Sequence, residues 1–193
     1  HRLFRSFGGG RSVSGGRGSA GDDPGGDVGL DVGAAEHAAA SDLHDGEVAA
    51  GDLVVHIRHE FPTEDAPFFA PGSPGAQIHA KAHNLAGEPV LLKHHINSFR
   101  ETGLKGVLDE AGVAEVVICG AMSHMCVDAT TRAAADFGYR VTVAHDACAS
   151  RDLEFAGTRV PAAQAHAAFM AALGFGYAEL RSTDELLEPT PAT

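Results

Sequence analysis

The stretch that most limits the fold runs from Val116 to Ala144, VVICGAMSHMCVDATTRAAADFGYRVTVA. Val116 to Cys119 is a short β-branched, apolar run of the kind buried on both faces of a parallel sheet, and Gly120 is expected to end it. Val127 to Phe137 carries Ala, Thr, Arg and Asp without Gly or Pro, and Gly138 follows where a helix favours a left-handed residue. Arg140 to Ala144 is again a strand pattern. Strand, helix and strand in that order form a parallel unit with a right-handed crossover. Cys126 then stands at the start of the helix, past the carboxyl end of a strand, where an open α/β sheet binds its ligands. The unpaired N–H groups and dipole of a helix start favour an anion, hence thiolate over thiol, and the same N–H groups can receive the charge that develops on an attacked carbonyl oxygen. The plain alternative is a small buried hydrophobe, as free cysteines often are.

The same alternation extends on both sides. Leu53 to Ile57 reads as a strand, followed by the long loop RHEFPTEDAPFFAPGSPGA. Val90 to Leu92 reads as another, with Lys93 at its carboxyl end. Leu104, Val107, Leu108 and Ala111 recur at helical spacing and Gly112 closes them. Val160-Pro161 opens a helix ended by Gly174, Ala178 to Leu180 is a short strand, and Ser182 to Glu185 caps a last helix. Parallel strands all end on one side, so Lys93, Cys126 and the loop after His56 converge on one crevice. A lysine beside a cysteine stabilises the thiolate and takes part in proton transfer. At this length one α/β domain is expected, a doubly wound, mostly parallel sheet with helices on both faces.

Residues 1–51 read differently. More than half of the chain's 24 glycines stand there, the apolar residues are scattered, and no strand or helix period is visible, so an irregular segment is expected ahead of a domain at 52–193. Asp31 to Ala50 supports only a poor helix around its alanines. Gly10 to Gly15 imitates a phosphate loop but lacks the Gly-Lys-Ser/Thr that holds phosphate and metal.

The formal net charge of −12 argues against a nucleic-acid partner and for a small-molecule substrate. Cys119, Cys126 and Cys148 form no Cys-x-x-Cys pair, which points to neither a disulfide framework nor a thiolate zinc site. No apolar run approaches the roughly 20 residues that cross a bilayer, and no signal-peptide core is visible, so no membrane partner and a cytoplasmic location are expected.

The ordered segments GEPVLLKHHINSFRETGL, then VVICGAMSHMCVDATTRAAADFGYRVTVAHDACASRDLEF, then VPAAQAHAAFMAALGFGYAEL, resemble the isochorismatase-like cysteine hydrolases. The likeness runs from about Asp52 to Leu187. It implies a doubly wound α/β fold and a catalytic set of an Asp at the end of the first strand, a Lys at the end of a later one and a Cys at the following helix start. Lys93 and Cys126 match the last two. The resemblance also implies a cis peptide at Ala121-Met122 and an oxyanion hole from the N–H groups of Met122 and Cys126. Members that act on isochorismate commonly lack the cysteine, so its presence here implies the amide-hydrolysing branch, and the family's habit implies a dimer or tetramer.

The Asp has no counterpart. An apolar strand ending in Asp-x-Gln is not visible before Asp52, and DVGLDVG around Asp31 is its nearest imitation. A displaced reading frame, an incorrect gene start or a variant without the central strand would each produce this pattern. Nicotinamidases on this branch carry a metal held by an Asp and several His. Here His79 and His83 stand four apart, but no Asp-x-His accompanies them and Glu60 is the only close acid, so neither metal nor cofactor is expected. Ala121, Met122, His124, Asn97, Phe99 and His59 are the candidates for oxyanion hole and substrate binding, with Phe61, Phe68 and Phe69 as further walls. Asp146 is expected to fix the turn after its strand. The expected activity is hydrolysis of a small amide or related C–N bond. The alternatives are an inactive relative serving as a binding or assembly subunit, and a nucleotide binder using the Gly-rich segment.

Overall fold

A computed structural model of the chain describes residues 2–6, 34–63, 65–66, 68–78 and 84–188. Six strands form one all-parallel sheet in the order β3-β2-β1-β4-β5-β8. They are β1 (Arg2–Ser6), β2 (Leu53–His59), β3 (Val90–Lys93), β4 (Glu115–Ala121), β5 (Arg140–Ala149) and β8 (Glu179–Arg181). β6 (Leu153–Phe155) and β7 (Thr158–Val160) make a separate antiparallel hairpin. Helices cover both faces. α1 (Ala34–Ala50) packs with α5 (Thr183–Leu187) against β5 and β2, and α3 (Asp128–Asp136) packs with α4 (Ala162–Gly176) along β5 and β8. α2 (Leu104–Glu110) buries Leu104 and Leu108 in the common core with Val54, Val55, Ile57, Val116, Val117, Ile118 and Val143. No helix among the described residues is long and apolar enough to cross a membrane.

β1 corrects the expectation of an irregular N-terminal segment at residues 2–6. RLFRS pairs with β2 on one side and β4 on the other, in the middle of the sheet. RLFRS carries no continuous apolar run, and backbone pairing along both edges is what defines this strand. α1 is a full helix of 17 residues rather than a marginal one, because packing on the sheet supplements the weak propensity of its sequence. Gly8 to Gly33, with the imitation of Asp-x-Gln and of a phosphate loop, lies outside the described residues.

Smaller departures follow the same logic. Gly120 does not end β4; it takes φ +130° inside the strand, where the pairing with β5 shifts register between Ile118 and Gly120. β5 continues to Ala149, so HDACA is strand, and the Asp146 carboxylate accepts from the N–H and hydroxyl of Thr183 at the start of α5 (2.9–3.0 Å). α4 passes through Gly174, where a Cβ would come within 3.1 Å of Leu180, so the glycine allows the helix to approach β8. The capping box at Ser182 and Glu185 forms as expected.

Candidate active site

Three strands, β3, β2 and β4, end on the same side of the sheet, with β1 between β2 and β4, and deliver three side chains to one corner. His59 closes β2 and pairs in register with Lys93, which closes β3. Past the end of β4, Ser123–Val127 makes one π-helical turn that leads directly into α3, and Cys126 lies in that turn. The Met122 carbonyl accepts the N–H groups of Met125 (3.0 Å) and Val127 (3.2 Å), which closes the turn, and the Ala121–Met122 peptide is cis, as the resemblance implied. The Ser123 hydroxyl donates to the Ala149 carbonyl (3.0 Å) and meets His166 Nδ1 at 2.9 Å, fastening the turn to β5 and α4.

The electrostatics of this corner are unusual. Lys93 is wholly buried, with Nζ donating to the Ile96 carbonyl at 2.6 Å. Burial holds its pKa below the ordinary lysine value, against the charge and hydrogen bonding of Cys126, which act to raise it. Cys126 Sγ lies 4.0 Å from His59 Nδ1. The His59 pKa is lowered to about 4, first by burial and then by Lys93, His94 and His95, so the ring is neutral at pH 7. His59 is 4 % exposed, and its Nε2 has no hydrogen-bond partner among the described residues.

Aromatic rings hold that imidazole. Phe61 lies 4.6 Å from it and Phe69 5.5 Å, nearly parallel, while Phe68 meets both phenylalanines edge-on. The loop is braced from below: the N–H of Phe61 donates to the Phe69 carbonyl, and the Glu60 carboxylate accepts from Arg58 and from the N–H of Gly72. Of the candidate residues, Cys126, Lys93, His59, Ala121 and Met122 thus belong to this corner.

The other three have different partners. Asn97 Oδ1 accepts from the N–H of Phe99 in a local turn. Phe99 packs on Phe137 and Tyr139 rather than on the rings around His59, because buried Ser98 is bonded to Thr130 of α3 and draws that loop toward the helix. His124 Nδ1 meets the Ser150 hydroxyl at 2.6 Å and its ring faces Phe169. Ser123 and His166 escaped the sequence reading, since 43 residues separate them and neither carries a periodic or spacing signal.

The metal set that the resemblance associates with nicotinamidases does not fit the described residues here. His59 is packed between phenylalanines, Glu60 is engaged with Arg58 and Gly72, and His94 Nδ1 meets the Glu60 carbonyl. His79 and His83 lie outside the described residues. A separate group, His44, His56 and Glu88, brings two imidazoles and a carboxylate within 4.8 Å. Each carboxylate oxygen meets one Nε2 at 2.9 or 2.8 Å, which are hydrogen-bond lengths.

A family model described as the isochorismatase domain matches residues 37–177. The isochorismatase family protein YddQ of Bacillus subtilis is 45% identical over 138 residues, covering 72% of this chain and 77% of that one. A solved structure from Oleispira antarctica, assigned to the isochorismatase hydrolases, is 57% identical with a TM-score of 0.76, covering 81% of this chain and 84% of the other. A streptothricin hydrolase of Streptomyces noursei is 41% identical over 130 residues; the alignment takes in 65% of this chain and 46% of that enzyme, so this chain spans about half of its length.

Proposed function

This chain belongs to the isochorismatase family of hydrolases, and on that footing we propose that it cleaves a small amide or related C–N bond through an acyl-enzyme on Cys126. The observation that carries the reading is the wholly buried Lys93 beside Cys126 at a helix start. A buried ammonium is stable only with a compensating anion, and a thiolate at the entry to α3 is such an anion. The thiolate attacks the carbonyl carbon, the N–H groups at Met122 and Cys126 receive the oxyanion, the amine departs, and water releases the acid. The rings of Phe61, Phe68 and Phe69 form the apolar wall of the substrate pocket. Similarity to a streptothricin hydrolase supports hydrolysis as the reaction.

The test is intact-mass spectrometry during turnover of a panel of small amides and activated esters. An acyl adduct on Cys126 is expected, with turnover lost by at least about 10³-fold in Cys126→Ala while the fold is kept. Turnover surviving in that variant would rule out the covalent route and favour a non-catalytic role for the cysteine.

A further inference from the structure

We propose that His59 is the proton shuttle of the hydrolytic half of this reaction, taking the proton of the attacking water through Nδ1 and passing it to Lys93 as the acyl group leaves Sγ. The inference rests on the acyl-enzyme reading above. Among the described residues, the polar side chains that meet Cys126 are Lys93 and His59. The two differ in what they can do. Lys93 is wholly buried, and its Nζ donates to the Ile96 carbonyl. An ammonium held in that way compensates negative charge on sulfur without leaving its place. His59 turns Nδ1 toward Sγ at 4.0 Å, at the outer limit of a hydrogen bond to sulfur, a separation of the kind that closes when substrate binds. Phe61 and Phe69 lie against the imidazole and fix its plane, so Nδ1 stays on the sulfur side.

The unpartnered Nε2 is the second observation. Buried polar atoms in folded proteins almost always find a partner, and leaving one without costs about 1–3 kcal/mol. When Nδ1 is the acceptor, the ring's proton is on Nε2, which becomes a buried donor with nothing to receive it. A substrate oxygen or a pocket water supplies that acceptor in the working enzyme.

The steps balance. Sγ, already a thiolate, bonds to the carbonyl carbon, and the leaving nitrogen takes a proton from the Lys93 ammonium as the C–N bond breaks. Water then occupies the place of the departed amine. Its oxygen bonds to the carbonyl carbon, its proton passes to Nδ1, the C–S bond breaks with the electron pair on sulfur, and the imidazolium hands its proton to the Lys93 amine, which restores the thiolate–ammonium pair. Burial and the charges of Lys93, His94 and His95 oppose charge on the ring, so the imidazolium is short-lived and gives up the water's proton readily. The thiolate formed beside it is the compensating charge.

p-Nitrophenyl acetate separates the steps, because its leaving group departs unprotonated and only release of the acyl group needs a base. In His59→Gln the nitrophenolate burst and the acetyl adduct on Cys126 are expected to persist, with the steady rate down about 10²-fold. In His59→Ala, added imidazole is expected to restore release, which a merely structural ring would not allow. A burst with an unchanged steady rate in His59→Gln overturns the shuttle and leaves the covalent reading standing. Absence of burst and adduct in the wild-type protein overturns both. If the variants do not fold, the wild-type rate of deacetylation against pH decides: a single limb well below the ordinary imidazole range supports the shuttle, and a flat profile between about pH 3.5 and 7 overturns it.

Discussion

His56 and His59 stand three residues apart on β2, and both are almost fully buried, yet they live in opposite circumstances. His56 points to the face covered by α1, where Glu88 accepts from it at 2.8 Å and from His44 at 2.9 Å, and where the Leu85 N–H binds the same carboxylate at 2.6 Å. His59 lies at the carboxyl end of the strand with one nitrogen toward a sulfur and the other without a partner among the described residues. The first arrangement ties α1, β2 and the approach to β3 into one unit and gives both carboxylate oxygens a partner. The second leaves capacity unused inside the protein. A buried imidazole that is satisfied holds structure, and one that is not marks the place where a ligand completes the site.

The sharpest way to break this comparison is to remove Glu88. Burial pushes its pKa up, but the N–H of Leu85 and the bonds from His44 and His56 outweigh that and hold it below the usual value. Glu88→Ala strands two buried imidazoles and is expected to cost about 3 kcal/mol in denaturant unfolding, with turnover per folded molecule unchanged. A loss of turnover at preserved stability would mean that the cluster serves the chemistry.

The second effect is carried by pH. Between about pH 6.5 and 4 the unfolded chain protonates its imidazole at position 59 while the folded ring, at about 4, stays neutral, so the unfolded state binds more protons and stability falls as pH falls. The full contribution is about 3 kcal/mol, complete only below the folded value. His59→Gln is expected to flatten that part of the curve relative to wild type. The stability that Glu88 contributes is present above the ordinary Glu value and is lost at lower pH, as the folded carboxylate titrates, so His59→Gln leaves that limb in place.

How much of this could be read from residues alone follows from what each feature depends on. The strand, turn and helix around Cys126, Lys93 at the end of its strand, and the Ser182 cap were legible because they rest on local periodicity and spacing. β1 was not, because RLFRS becomes a strand only through pairing on both sides with β2 and β4. The β6–β7 hairpin was hidden for a related reason: its turn places Ala156 at φ +50° and Gly157 at +77°, and Ala-Gly is a weak turn signal beside Asn-Gly. His59 stood in the sequence as one of several histidines. Only the meeting of β2 with the turn after β4, 67 residues apart, sets it against Cys126. The partnership of His44 with Glu88 spans 44 residues and carries no spacing signal either.

The central claim is that Cys126 is an activated nucleophile and the other cysteines are not. All three are buried, so exposure does not distinguish them, whereas chemistry does: Cys148 has its thiol pushed far up by burial and by the neighbouring Cys119. The direct measurement is the rate of iodoacetamide alkylation at each cysteine at neutral pH, followed by peptide mass spectrometry in wild type and Lys93→Met. Modification of Cys126 at least about 10-fold faster than Cys119 or Cys148, slowed when the ammonium is removed, is the predicted result. Equal rates at the three cysteines, or no response to Lys93→Met, would contradict it.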